Sequence, residues 1–117
     1  MNKRQIGTEY EELACGYLKN HGMKILERNY RIRQGEIDII GYHDRCLVFV
    51  EVKYRKDDRM GNPSEAVHMQ KQRIICRVSD HYRFYHGVGE DRRIRFDVIS
   101  VCGTELRWYK NAFEYSL

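Results

Sequence analysis

Residues 35–55 read G-E-I-D-I-I-G-Y-H-D-R-C-L-V-F-V-E-V-K-Y-R, and this stretch decides the fold. Two apolar runs, 37–40 and 47–52, flank the polar turn Tyr42-His43-Asp44-Arg45, which is the pattern of a β-hairpin. Strand side chains alternate faces, so Glu36 and Asp38 are expected on one face and Ile37 and Ile39 on the other. In the second strand Leu47, Phe49, Glu51 and Lys53 share a face, and Val48, Val50 and Val52 share the opposite one. Both faces of that strand begin apolar, which places it centrally in a sheet covered on both sides. A carboxylate in such a strand is costly unless it is partnered. A divalent cation held by Asp38 and Glu51, with Lys53 beside it, would supply a partner.

Upstream, residues 23–33 carry Ile25, Leu26, Tyr30 and Ile32 and read as an extended segment entering the hairpin through the turn 33–35. Arg28, Arg31 and Arg33 stud it. Two uses are open for them, an edge strand guarded by charge or contact with phosphates. Before this segment, residues 8–21 read as a helix with Leu13, Ala14, Tyr17 and Leu18 as its apolar stripe and Gly22 as its stop. Glu11 sits at the stripe's edge. The pattern Thr8-x-x-Glu11 is that of a capping box, in which the glutamate satisfies a backbone donor.

Downstream of Lys53, residues 54–59 are polar and read as a loop. Asn62-Pro63-Ser64-Glu65 reads as a helix start, with Asn62 as cap and Pro63 at the first position. The helix is expected to run to about Tyr85, packed through Val67, Ile74, Ile75, Val78, Tyr82 and Tyr85, with Lys71 interrupting that stripe and snorkelling at its margin. A charged loop at 87–93 leads to a strand at 95–101, a turn at 103–104 and a short strand at 106–109. Asp97 in the fourth strand is expected to pair with Arg95 or another arginine. His43, His68, His81 and His86 have no partners at ligand spacing and read as surface or packing residues. Tyr30, Tyr42 and Tyr54 could stack on a base, with packing at the core edge as their ordinary use.

The order is therefore α-β-β-β-α-β-β. Short turns make the first three strands antiparallel neighbours, and the long helix permits a crossover to a parallel fourth strand. An α/β domain follows, with a central mixed five-stranded sheet flanked by helices.

At 117 residues the chain is read as one domain, 1–117, with a single core. One Pro, nine Gly and no low-complexity tract leave no sign of a linker or repeat. Cys15, Cys46, Cys76 and Cys102 lack disulfide or metal-ligand spacing and read as reduced thiols. No leader-like or membrane-spanning apolar run is visible, so a soluble, cytoplasmic protein without a membrane partner is expected. The net charge of +4 is mild. Setting Glu11, Asp38 and Glu51 aside as metal ligands makes the remaining surface three charges more basic, which suits a polyanion.

G-E-I-D-I-I followed by L-V-F-V-E-V-K-Y-R resembles the signature of the PD-(D/E)xK nucleases. In detail it is similar to the YraN-like family of the restriction-endonuclease-like superfamily, relatives of archaeal Holliday junction resolvases. The resemblance covers nearly the whole chain and implies a restriction-endonuclease-like fold. It implies Asp38, Glu51 and Lys53 as catalytic residues, with Lys53 orienting the attacking water. Glu11, Asp38 and Glu51 would ligate Mg²⁺ or Mn²⁺, which suits hard oxygen donors, and Glu36 would act from the outer shell. The family's usual glycine before the first glutamate is Tyr10 here. Lys71 is placed near the active-site end of the sheet, where it, Arg31, Arg33 and Arg55 are candidates for nucleic-acid phosphates. The implied function is a metal-dependent endonuclease hydrolysing DNA phosphodiesters, in branched or structured DNA during repair or recombination. The alternative is a non-catalytic nucleic-acid-binding module that keeps the fold. DNA is favoured over RNA, no groove-reading element is visible, and cutting two strands would favour a homodimer.

Overall fold

Asp44 and Arg45 both have positive φ, 50° and 65°, the pair of left-handed residues that a two-residue type I′ hairpin turn requires. A computed structural model describes residues 3–55 and 67–117 of the chain. The turn joins β2 (Gly35–His43) to β3 (Cys46–Arg55), and both strands extend beyond their apolar runs. They follow α1 (Lys3–Asn20) and β1 (Lys24–Ile32), and precede α2 (Met69–Tyr85), β4 (Ile94–Cys102) and β5 (Glu105–Phe113). The five strands lie in sequence order in one sheet, antiparallel except for the parallel pair β3·β4, whose crossover contains α2. The expected mixed five-stranded sheet, in the order α-β-β-β-α-β-β, is the observed one.

The alternation in β3 sorts the core into two layers. Leu47 and Phe49 join Ile37, Ile40, Phe96 and Val98 against Ile75, Val78 and Tyr82 of α2. Val48 and Val50 join Ile39 and Ile99 against Ala14 and Leu18 of α1. Each fully buried side chain of this size is worth roughly 1.5–3 kcal/mol, so the central strand is anchored from both faces. Gly35 lets α2 approach the sheet, since a Cβ there would collide with the Ile74 Cγ2.

Both helices end in the same device. Met23 N–H reaches Leu18 O and Gly22 N–H reaches Lys19 O, with Gly22 at φ 97°. In α2, Val88 N–H reaches Arg83 O and Gly87 N–H reaches Phe84 O, with Gly87 at φ 63°. These are Schellman caps. In each, a histidine Nδ1 also bonds the carbonyl one turn back, His21 to Tyr17 O at 2.8 Å and His86 to Tyr82 O at 2.9 Å. Its ring stacks on that same tyrosine.

Several expectations are corrected. Helix α1 begins at Lys3, so Thr8 lies inside it and Thr8–Glu11 is not a capping box at its start. Leu13 is exposed because it lies about 100° round the helix from the buried Ala14. Tyr85 is 68% exposed and packs on His81 instead of the sheet. Val67 is buried but precedes α2. The expected helix start at Asn62, Pro63 and Glu65, and most of the loop expected at 54–59, lie outside the described residues. Ile37 and Ile39 do not share a face, since one packs beneath α2 and the other beneath α1. The alternation breaks where β2·β3 pairing ends, at Ile39↔Val50. No helix among the described residues is long and apolar enough to cross a membrane.

Candidate functional site

Past the last β2·β3 pair, the Asp38 carboxylate stands in for the sheet ladder and accepts the Val52 N–H at 2.8 Å on Oδ2. Strand β3 meanwhile keeps its pairing with β4 through Glu51↔Val98 and Lys53↔Ser100. This fork is where the charged residues of the hairpin gather. Helix α1 brings Glu11 to it, and carboxylate oxygens of Glu11, Glu36 and Asp38 lie within 4.8 Å of one another. Glu51 is 7% exposed. Its Oε1 is 3.5 Å from Lys53 Nζ and 3.9 Å from Lys71 Nζ, the latter reaching across from α2.

Asn29 and Arg31 of β1 complete the surround. Asn29 has φ 52°, a conformation asparagine tolerates better than most residues. With its amide nitrogen turned to the acids, it donates to Glu36 Oε1 and Glu11 Oε2, both at 3.0 Å. Arg31 forks onto Glu36 Oε2 at 2.7 and 3.2 Å. Beside Glu11, Tyr10 stacks on Tyr54 with ring centroids 4.2 Å apart, so neither ring is a bare platform for a base.

The acids outnumber their counter-groups, and their protonation reflects it. Burial, and then the nearby Glu51 charge, push Asp38 up to about 7. Burial raises Glu51 as well, opposed by Lys71 and Lys53. Burial also raises Glu11, opposed by the Asn29 hydrogen bond. A carboxylate held above its ordinary range is either protonated or short of a cation. Oxygen donors crowded at this separation, three from carboxylates, suit a hard divalent ion, so the residues present fit Mg²⁺ or Mn²⁺.

The expected residues are thus arranged in two adjoining groups. Glu11, Glu36 and Asp38 form one, with Glu36 supplying an oxygen to the cluster itself although an outer place was expected for it. Glu51, Lys53 and Lys71 form the other. Arg31 is committed to Glu36, Arg33 lies in the exposed β1–β2 turn, and Arg55 is the last residue of β3. Asn29 was missed, although an asparagine inside a strand pattern is a recognisable signal for a positive φ.

A second buried acid serves a different end. Asp97, with no exposed surface, takes Arg95 Nε and Nη2 at 2.8 Å each, Trp108 Nε1 at 2.9 Å and the Asn111 N–H at 2.9 Å. Arg95 also approaches His43 Nδ1 at 3.1 Å. The expected Arg95 partnership is present, and it closes this carboxylate to further ligands. The histidines likewise stay away from the acids of the fork, His81 for example meeting the Tyr30 hydroxyl at 2.6 Å.

The model of the uncharacterised protein family UPF0102 matches residues 10–101, a span that includes Glu11 and nearly all of β4 but stops short of β5. A UPF0102 protein of Alkaliphilus oremlandii is 50% identical over 115 residues, covering 97% of each chain. One from Lachnoclostridium phytofermentans is 45% identical over 114 residues, again 97% of each. One from Vibrio parahaemolyticus is 40% identical over 113 residues, 95% of this chain and 93% of its own.

Proposed function

The chain belongs to the uncharacterised protein family UPF0102, and from that premise we propose that it is a cytoplasmic, metal-dependent nuclease of the PD-(D/E)xK type acting on DNA. The observation that carries the reading is the fork itself, where the Glu11–Glu36–Asp38 cluster adjoins Glu51 with its two lysines, Lys53 and Lys71, and Arg31 pairs with Glu36 at the edge. The G-E-I-D and V-E-V-K strings and the mixed sheet support the superfamily placement. Structural ion pairing alone accounts for Glu51 and its two lysines, but it leaves Asp38 pushed up to about 7.

Glu11, Glu36 and Asp38 would hold Mg²⁺ or Mn²⁺, with Glu51 contributing from the adjoining strand. Such an ion lowers the pKa of bound water and neutralises charge on a phosphoryl group. Asp38 is fixed by the Val52 N–H, so its second oxygen has a defined direction. Lys53 is held beside Glu51 yet is part-exposed, which allows its Nζ to donate to an attacking water or to a phosphoryl oxygen. That interaction strengthens as negative charge develops in the transition state. Lys71, on the same glutamate, can meet a neighbouring phosphate. A branched or otherwise structured DNA is the proposed substrate, and a homodimer would allow two strands to be cut.

A cleavage panel of single-stranded, duplex, flap and four-way-junction DNA, with RNA counterparts, tests this with and without Mg²⁺ and Mn²⁺. The expected result is metal-dependent cleavage of at least one DNA, lost in Lys53→Ala while DNA binding persists. Binding without cleavage of any substrate would overturn the enzyme and leave the binding module.

A further inference from the structure

We propose that the cleft between the end of α2 and the β2–β3 turn is a second phosphate-binding site, separate from the carboxylate fork. The pairing Leu47↔Ile94, with Leu47 N–H on Arg93 O at 2.9 Å, sets the start of β4 beside the hairpin turn. Arg45, Arg92 and Arg93 thereby line one open cleft of about 610 Å³, together with His86 and Asp91. That volume suits a small ligand. Glu51 lies four residues along β3 from Leu47, roughly 13 Å at the rise of a strand, so one phosphate cannot occupy both places.

Three arginines in one cleft repel one another unless something offsets them. Arg28, Arg31, Arg83, Arg95 and Arg107 each have a carboxylate within ion-pair distance. Among the described residues, Arg45, Arg92 and Arg93 have none, although Asp91 shares their cleft. Their positions are nevertheless prepared. Arg45 sits in the type I′ turn at φ 65°. The Arg92 guanidinium lies 4.9 Å over the Tyr42 ring, which leaves the N–H groups at its edge free to donate. His86 is already used, with Nδ1 on Tyr82 O and Nε2 3.9 Å from Glu27, so the groups left to meet a ligand are the arginines.

Planar guanidinium forks bind carboxylate and phosphate oxygens bidentately, and three of them in one cleft favour the more highly charged phosphate over a single carboxylate. The cleft offers no free aromatic face for a base, because Arg92 covers Tyr42. The group recognised is therefore the phosphate, carried either by a nucleic-acid backbone or by a free phosphate or nucleotide. The first source rests on the nuclease reading above, and the second does not.

The test compares wild type with Arg45→Gln/Arg92→Gln, and with Arg45→Gln alone as the milder change in an exposed turn. Melting temperature is followed against inorganic phosphate, with sodium chloride at matched ionic strength as control, in EDTA. Binding of fluorescein-labelled single-stranded and junction DNA is followed by anisotropy over a salt series. The expected result is a phosphate-specific rise in melting temperature that the double variant loses and Arg45→Gln reduces. A backbone source adds weaker DNA binding and a salt slope shallower by about 1.4 to 1.8, the value for two lost contacts at 0.7 to 0.9 each. An unchanged slope beside a lost phosphate response identifies a free phosphate or nucleotide. Equal phosphate and DNA behaviour in all three proteins overturns the site. No readout involves cleavage, so failure here is distinct from failure of the nuclease.

Discussion

Asp97, fully buried, and Asp38, part-buried, are carboxylates on the two strands that flank β3 in one sheet, for Asp97 lies across β3 from Ile39, the residue that follows Asp38. Around Asp97, four donor groups converge on two oxygens, and the acid is part of the architecture. Around Asp38, one backbone N–H is opposed by burial and by the charges of Glu51, Glu11 and Glu36, and its pKa is pushed up to about 7. The difference is one of stoichiometry. Where donors match lone pairs, a buried carboxylate stabilises a fold; where acids outnumber donors, the carboxylates must take up a proton or a cation.

Removing the matched acid should have the largest effect. Asp97→Ala leaves the Arg95 guanidinium, Trp108 Nε1 and the Asn111 N–H without their shared acceptor, and should destabilise the protein by about 3–5 kcal/mol. Urea denaturation measures it. A loss below 1 kcal/mol would mean that the network is incidental.

Next comes Lys53→Ala, which leaves every acid of the fork in place. Cleavage should fall on the order of 10²- to 10³-fold, the usual loss for one preorganised donor, with DNA affinity nearly unchanged. Wild-type turnover in a purified preparation would remove Lys53 from the chemistry.

Metal and pH address the unmatched acid itself. Mg²⁺ or Mn²⁺ at 100 times its Kd should stabilise wild type by about 2.7 kcal/mol, and Asp38→Asn should abolish most of that response. In EDTA the sign is set by the raised pKa. The folded protein retains a proton that the unfolded chain has released, so the contribution of Asp38 to stability is fullest below about pH 4 and is lost as pH rises through about 7. Asp38→Asn imitates the protonated acid. It should match wild type near pH 4 and exceed it at pH 8. Parallel stability curves would break the contrast with Asp97.

The smallest effect is expected of Asn29→Gly, which keeps the left-handed backbone and deletes only the amide between Glu11 and Glu36. A change of about 1 kcal/mol in stability is expected, with a clear change in metal affinity by calorimetry. An unaltered metal isotherm would make Asn29 a backbone residue only.

Much of this contrast was legible before the structure. Asp38, Glu51 and Lys53 stood out because charges interrupt apolar strands, and Asp97 was separable from them because Arg95 stands two positions away on the same face. Leu13 and Tyr85 misled for a common reason: helical periodicity marks a stripe but not where the opposing sheet ends. The Thr8–Glu11 pattern misled because a local capping motif can occur within a longer helix. Asn29 escaped notice because its role depends on α1 delivering Glu11 to the same place.

The sequence by itself determined the hairpin, the element order and the identity of most charged residues at the fork. Alternation, turn chemistry and helical period are local properties, and a chain displays them directly. Tertiary structure alone decided which acids meet. Glu36 and Asp38 share a face by their spacing, but Glu11 joins them only because α1 carries it there, and Lys71 reaches Glu51 because α2 crosses the sheet at Gly35. Such meetings depend on register and packing between distant segments, and no spacing along the chain encodes them.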